Sequence, residues 1–337
     1  MLAAQLYGAE DLRVEEISVP TIGEDEVLIR TRICGVCPSD VRFFKGISTP
    51  HGDPPVLLGH EWAGEVVETG KSVRRINIGD RVAVSWRDIC GFCEHCRQGR
   101  SNFCDHMNVG RTLGGFAEFG KAHKSNVWVL PEEISYEEAA FAEPIACCLN
   151  GQEALNISAG DDVAVVGVGP IGLLHIELAK LVGARVIAID IIQERLDIAK
   201  ELGADVTVHA IGDSVSEKIR LQTDGRGVDK VIVAVGTHSA LRTAFDIVGV
   251  CGSINIFAGI YPREPMLIDL NLIHYRQVSL SGSHDFTDAH FSRGLKLLKN
   301  KEIHVLPIVS HRFCIAEMEN ALRVVEKKQG LKVLVMP

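Results

Sequence analysis

From about residue 157 the chain alternates short continuous apolar runs with longer amphipathic stretches, at 163–166, 171–182, 185–189 and 193–202. Short runs rich in Val and Ile between glycines read as buried strands, and the longer stretches with helical spacing read as helices. Their alternation predicts βαβ units on a doubly wound parallel sheet. Further buried strands are expected at 230–235, 253–258 and 278–282, with a helix at 239–248 between the first two, which gives a sheet of at least five strands. The first hundred or so residues have a different grain. Short β-branched segments at 27–33, 64–67 and 81–84 are bounded by Gly, Pro or Asp, the pattern of a β-rich domain. Beyond Gly282 the pattern predicts a helix at 289–299, a strand at 308–313 and a helix at 315–327 ending near Gly330.

Composition narrows the class. Of 337 residues 46% are apolar and 23% charged, enough to bury two cores and too apolar for disorder. The formal charge is −9, and no Lys/Arg block stands out that could neutralise a phosphate backbone, so nucleic acid is not an expected partner. The most apolar stretch, 163–174, is broken by Gly167, Gly169, Pro170 and Gly172 and is too short to span a bilayer, so no membrane association is expected. The first residues carry Glu10, Asp11, Glu15 and Glu16 and no basic start before an apolar core, so a cytoplasmic address is expected. Ten cysteines then point to reduced thiols or bound metal rather than to disulfides.

Four of them, Cys90, Cys93, Cys96 and Cys104, form C-x2-C-x2-C-x7-C in a polar loop. Each two-residue gap lets one turn present two sulfurs to one ion, so four thiolates can close a tetrahedron around zinc. An Fe–S cluster or unliganded thiols are the competing readings. A site with no open coordination position serves structure rather than catalysis.

The string Gly167-Val-Gly169-Pro170-Ile171-Gly172 follows a predicted strand and opens a predicted helix, and a second strand ends at Asp190, eighteen residues after Gly172. In that context G-x-G-x-x-G is a dinucleotide-binding turn. Gly167 permits the turn, Gly169 lets the backbone approach a pyrophosphate, and Gly172 lets helix and strand pack closely. Asp190 is placed to accept hydrogen bonds from the ribose hydroxyls and would repel a 2′-phosphate. The isolated Arg195 does not reverse that preference, so NAD is favoured over NADP.

Other metal-ligand residue types lie far apart: Cys37 in Gly35-Val-Cys-Pro-Ser39-Asp40, His60 and Glu61 in Gly59-His-Glu-Trp-Ala-Gly64, and Glu143 before Pro144. Taken singly, these are a buried thiol, a core histidine and ordinary carboxylates. Together with Gly70, Val73, Gly79-Asp-Arg-Val82, the four-cysteine loop, Gly114-Gly-Phe-Ala-Glu118 and the nucleotide turn, in this order, they make the chain resemble the zinc-dependent medium-chain alcohol dehydrogenases. Within that family it is most similar to the sorbitol or polyol dehydrogenases. The resemblance extends over essentially the whole chain. It implies an α/β protein with a Rossmann NAD-binding domain at 149–283 and a GroES-like β-rich catalytic domain at 1–148 and 284–337, with the active site in the cleft between them.

The resemblance further implies two zinc ions and NAD. Cys37, His60 and either Glu143 or Glu61 would hold the catalytic zinc, Asp40 would orient His60, and Ser39 would pass the alcohol proton toward the cofactor ribose. The histidine that ends this relay in many relatives is Arg42 here, and Phe43 stands where polyol enzymes can carry a polar aromatic. A catalytic zinc can lower the pKa of a bound water from about 15.7 to about 7, and a similar drop would make an alcohol a hydride donor at neutral pH. The expected reaction is NAD-linked oxidation of a secondary alcohol in a polyol or sugar derivative to a ketone. A threonine-type amino-alcohol dehydrogenase and a non-catalytic nucleotide-binding protein on the same scaffold are the alternatives. Arg42, Lys45, Arg111 and Arg276 are candidate ligands should the substrate carry a phosphate. His51, His175, His274 and His284 read as structural or surface groups. The resemblance implies a homodimer or homotetramer.

Overall fold

The structure, a computed structural model, describes residues 1–50, 52–107, 114–211, 215–261 and 263–337, so His51 and Arg111 lie outside the described residues. The chain forms two compact units. One comprises Met1–Ala146, Phe286–Lys301 and Val305–Pro337, the other Cys147–Asp285 and Glu302–His304.

The second unit is built on a six-stranded sheet whose ladders are all parallel. In chain order its strands are Asp162–Val166, Arg185–Asp190, Val206–His209, Val228–Val233, Val248–Ile256 and Ser279–Gly282. In space they lie third, second, first, fourth, fifth, sixth, the Rossmann order. Every residue of Asp162–Val166 is buried, as expected of a central strand covered on both faces. Helices Pro170–Leu181, Gln193–Glu201 and His238–Ile247 connect consecutive strands, and the last is capped by Thr237, whose side chain accepts from the Ala240 N–H. Val231, Ile187, Ile189, Phe245 and Ile254 are among the buried side chains of this core, each worth about 1.5–3 kcal/mol of apolar transfer.

The first unit is a β structure around a seven-stranded sheet. Its longest strand, Glu26–Gly35, is antiparallel to Glu61–Thr69 on one side, and to Phe119–His123 and Lys332–Met336 along its other edge. Trp62, Phe116, Ile29 and Val66 fill the core, and helix Met318–Glu326 closes it with Met318, Ala321 and Leu322. One register has a consequence for the site: Gly35 faces Glu61 across one ladder and Leu334 across the other. The strands bearing Glu61 and Lys332 therefore flank Gly35 on its two sides.

Among the elements that the pattern does not predict are the strand pair Leu2–Gly8 and Asp11–Glu16, the short strand Val206–His209, the helix Val215–Gln222 and the strand Lys332–Met336. The stretch expected as one helix at 315–327 divides into a 3-10 turn, Ile315–Glu317, and the helix Met318–Glu326. Among the described residues no helix is long and apolar enough to cross a membrane.

Candidate active site and metal centres

Helix Pro38–Phe44 begins at Cys37, which serves as its N-cap, and Pro38 occupies the first helical position, where its missing N–H costs nothing. Asp40, fully buried, accepts the Cys37 N–H through Oδ2 at 2.9 Å. Its Oδ1 lies 3.6 Å from Nδ1 of His60, whose ring meets the edge of Trp86. His60 and Glu61 stand where strand Glu61–Thr69 begins, and a ligand atom from each lies within 4.8 Å of the Cys37 sulfur and of the other. Thiolate, imidazole and carboxylate thus converge in one unit from positions far apart in sequence. Burial favours a neutral His60, but the negative charges of Asp40 and Cys37 outweigh it and hold its pKa well above the usual histidine range.

Glu143 is not one of these three. It sits buried in the first turn of helix Ala142–Glu153, and its charge acts on the set through Lys332, which it helps to keep protonated. Lys332 is the residue that sequence reasoning missed. It is 5% exposed, donates to Oε2 of Glu61, lies 3.5 Å from the Val36 carbonyl, and stands over the Phe141 ring. Burial alone would push it toward the neutral amine, but the Glu61 and Cys37 charges raise its pKa above the ordinary lysine value. Gly35 makes the pair possible, because a Cβ there would come within 2.2 Å of Glu61 Oε2 and 2.7 Å of Lys332 Cε. The available signal was a lysine inside the apolar run Leu331-Lys-Val-Leu-Val335. Ser39 is half-buried in the first turn of the Cys37 helix, and Phe43 packs against the core of its unit.

The donor set fits zinc. Two buried carboxylates, Glu61 and Glu143, and the Cys37 thiol act on one buried lysine, and a third buried carboxylate, Asp40, lies against Cys37 and His60. Buried anions need paired cations, and a thiolate–imidazole–carboxylate set matches a catalytic zinc with room for a fourth ligand.

The sulfurs of Cys90, Cys93, Cys96 and Cys104 lie within 4.8 Å of one another. Four sulfurs about 2.3 Å from one zinc would stand about 3.8 Å apart, a spacing that falls within that limit. The Cys90 N–H donates to the Cys104 sulfur at 3.3 Å and the Cys93 N–H to the Cys90 sulfur at 3.4 Å, aiming backbone dipoles at sites of negative charge. Against the cost of burial, such N–H groups bring the Cys90 pKa down to about 7. Burial and the neighbouring thiols push Cys96 up to about 12. The first protons leave easily and the last does not, unless a cation compensates the accumulating charge. Beneath the loop the buried Arg87 donates to the Ser101 carbonyl at 2.7 Å and the Phe286 carbonyl at 2.6 Å.

In the second unit the glycine turn joins strand Asp162–Val166 to helix Pro170–Leu181. Gly167 has φ +92°, and a Cβ on Gly172 would come within 2.0 Å of the Gly167 carbonyl oxygen. A Cβ on Gly169 would meet nothing nearer than Nη1 of Arg195, at 3.9 Å. Open space over Gly169 and a helix start with no side-chain cap make an anion cradle that fits a pyrophosphate, with Pro170 and Ile171 in the first turn. Asp190 ends the next strand, 8% exposed, and accepts the Val168 N–H at 2.6 Å and the Ile192 N–H at 2.9 Å. These bonds lock the carboxylate to the turn while leaving each oxygen a further lone pair.

A Rossmann nucleotide cradle and a thiolate–imidazole–carboxylate centre define a metal-dependent, nucleotide-linked oxidoreductase. Residues 23–132 match the alcohol dehydrogenase GroES-like domain family, and residues 170–300 match the zinc-binding dehydrogenase family. The chain is 31% identical over 340 residues to D-arabitol-phosphate dehydrogenase of Enterococcus avium, covering 99% of this chain and 96% of that one. It is 30% identical over 345 residues to sorbitol dehydrogenase of Bacillus subtilis (strain 168), covering 100% and 97%. Among solved structures, a zinc-binding dehydrogenase from Sinorhizobium meliloti 1021 bound to NADP superimposes with TM-score 0.92 at 30% identity, covering 100% of this chain and 99% of that one. The chain therefore belongs to the zinc-dependent medium-chain dehydrogenases, on the polyol-dehydrogenase-like branch. It is an alcohol-oxidising enzyme that works with zinc and a nicotinamide nucleotide.

Proposed function

We propose that the enzyme oxidises a secondary alcohol of a polyol or sugar derivative to the ketone with NAD, using a catalytic zinc at Cys37, His60 and Glu61 or Glu143 and a structural zinc at Cys90, Cys93, Cys96 and Cys104. The observation that carries this reading is the convergence of the Cys37, His60 and Glu61 ligand atoms within 4.8 Å. When bound, zinc supplies Lewis acidity toward a hydroxyl and the nicotinamide accepts hydride. The chain's own residues do the rest. Asp40, tied to the Cys37 N–H, aligns His60. The burial of Asp40, Glu61 and Glu143 keeps water from weakening the electrostatics of the set. Ser39 is the candidate group to accept the alcohol proton, with Arg42 in place of a relay histidine.

Asp190 favours NAD, since a 2′-phosphate would bring two further negative charges to a buried carboxylate. The NADP in the Sinorhizobium meliloti relative makes this a point to test rather than to carry over. Lys45 is paired with Glu10 and Glu326, and Arg276 donates to the Val248 carbonyl, so neither supports a phosphorylated substrate. A cytoplasmic homodimer or homotetramer completes the reading, and light scattering tests the assembly.

The deciding experiment follows nicotinamide reduction with NAD and NADP across polyols, polyol phosphates, threonine and simple secondary alcohols. NAD-linked turnover of polyols, lost with one zinc in Cys37→Ser, is the expected result. Full turnover in Cys37→Ser with that zinc gone would refute it.

A further inference from the structure

One short stretch of chain joins the four-cysteine loop to the His60 centre. Val84 faces Trp62 across its ladder, which brings Trp86, two residues further on, beside His60, two residues before Trp62. The two rings meet edge to face, with centroids 6.4 Å apart and planes at 69°. Arg87 follows at once, 2% exposed, and Cys90, the first sulfur of the loop, comes next but two. The Ser101 carbonyl that accepts from Nη2 of Arg87 at 2.7 Å also accepts the Cys104 N–H at 3.1 Å. One oxygen therefore holds both a buried guanidinium and the backbone of a sulfur ligand. Nη1 donates to the Phe286 carbonyl at 2.6 Å, and the guanidinium carbon lies 5.8 Å from the centre of the Trp86 ring and 5.7 Å from that of Phe286. A buried cation keeps its place only while its hydrogen-bond partners keep theirs. Because Trp86 and Arg87 are consecutive, whatever fixes the Arg87 side chain also fixes the backbone from which the Trp86 ring projects.

We propose that Arg87 is a positioning residue that couples the two metal centres: the folded state of the four-cysteine loop, through the Ser101 carbonyl, sets how firmly Trp86 holds the His60 ring. The inference rests on the zinc reading of both sites. Four thiolates gathered on one ion fix the loop, and their mutual repulsion opens it when the ion is lost. The Ser101 carbonyl then leaves its place, Arg87 turns to another acceptor, and the Trp86 ring shifts from the edge of His60. The loop thereby does more than brace the fold, because its metal content tunes the second centre.

The test follows zinc release from the full-length protein to a chromophoric chelator. The phase that belongs to the second centre is the one that Cys37→Ser removes. In Arg87→Met that phase should accelerate about fivefold or more while the four-cysteine zinc stays bound. Cys96→Ser, which empties the loop, should accelerate it to a similar extent. The double variant should be no faster than either single one, because both break the same route. A merely structural Arg87 would instead give independent effects that multiply, and that result, or an unmoved phase in Cys96→Ser, overturns the inference. Should Arg87→Met fail to fold, a Trp86→Leu background decides: there Cys96→Ser should no longer alter the phase, and equal acceleration with and without Trp86 refutes the coupling. Zinc release with no phase that Cys37→Ser removes would sink the metal-site reading itself. A Cys37-dependent phase indifferent to Cys96→Ser would sink the inference alone.

Discussion

Oδ1 of Asp40 lies 3.6 Å from Nδ1 of His60 while its Oδ2 is held by the Cys37 N–H at 2.9 Å. One buried carboxylate thus links the backbone of one candidate ligand to the ring of another. Asp40→Asn keeps the shape and removes the charge. Metal affinity at this site should fall about 10- to 100-fold, measured by chelator competition, with the four-cysteine metal unaffected. Equal affinity in parent and variant would show that Asp40 does not orient His60.

The two glycines of the nucleotide turn should separate stability from binding. A methyl on Gly172 would have to sit 2.0 Å from the Gly167 carbonyl oxygen, so Gly172→Ala should cost several kcal/mol, about the upper range for single substitutions, and yield little folded protein. At Gly169 the methyl meets only open space and Arg195 at 3.9 Å. Gly169→Ala should keep the parent melting temperature and lose about tenfold or more in nucleotide affinity, because the methyl fills the pyrophosphate cradle. Calorimetric titration with NAD checks both, and unaltered affinity in Gly169→Ala would move the cofactor elsewhere.

The four thiols predict a metal-dependent loop. Cys96→Ser removes the sulfur whose deprotonation is costliest and should lower zinc content by one per chain. Proteolysis should then cut first between Cys90 and Cys104, whose segment has little apolar core of its own. Unchanged zinc content would refute a four-cysteine site.

His175 is fully buried in helix Pro170–Leu181, edge-on to Phe257 with ring centroids 4.6 Å apart, and Gln152 donates to its carbonyl at 2.8 Å. Burial pushes its pKa down to about 3 from the usual 6.5. Between those values the unfolded chain binds the proton and the folded one does not, so stability rises with pH across the window and is lost as pH falls below about 6.5. From pH 7 to pH 5 this group alone should remove about 2 kcal/mol. His175→Phe should abolish that part of the slope in denaturant melts run at both pH values. Parallel pH profiles for parent and variant would show that His175 titrates normally.

Much of the second unit was legible because its signals are local. Strand Asp162–Val166, the glycine turn and helix Pro170–Leu181 follow one another without a gap, and full burial writes itself as a continuous apolar run. Val206–His209 escaped notice because it is a four-residue strand whose burial is partial. In Asp11–Glu16 charged residues dilute the alternation, and in Leu2–Gly8 neighbouring Ala3 and Ala4 are both buried, which breaks it. Strand Lys332–Met336 was missed for a different reason: its first residue is a lysine that burial normally excludes.

The sequence by itself determined what short range can encode: the βαβ alternation, the nucleotide turn with Asp190 beyond it, and four cysteines spaced to surround one ion. Their geometry depends on a few neighbouring backbone angles, so spacing suffices. Tertiary structure alone decided that Cys37 meets His60 and Glu61, and that Lys332 reaches Glu61 across 271 residues of chain. Those meetings depend on strand register, in which Gly35 faces Glu61 on one side while the strand of Lys332 lies along the other. Register is set by how whole strands bury their apolar faces together, and no local spacing records it.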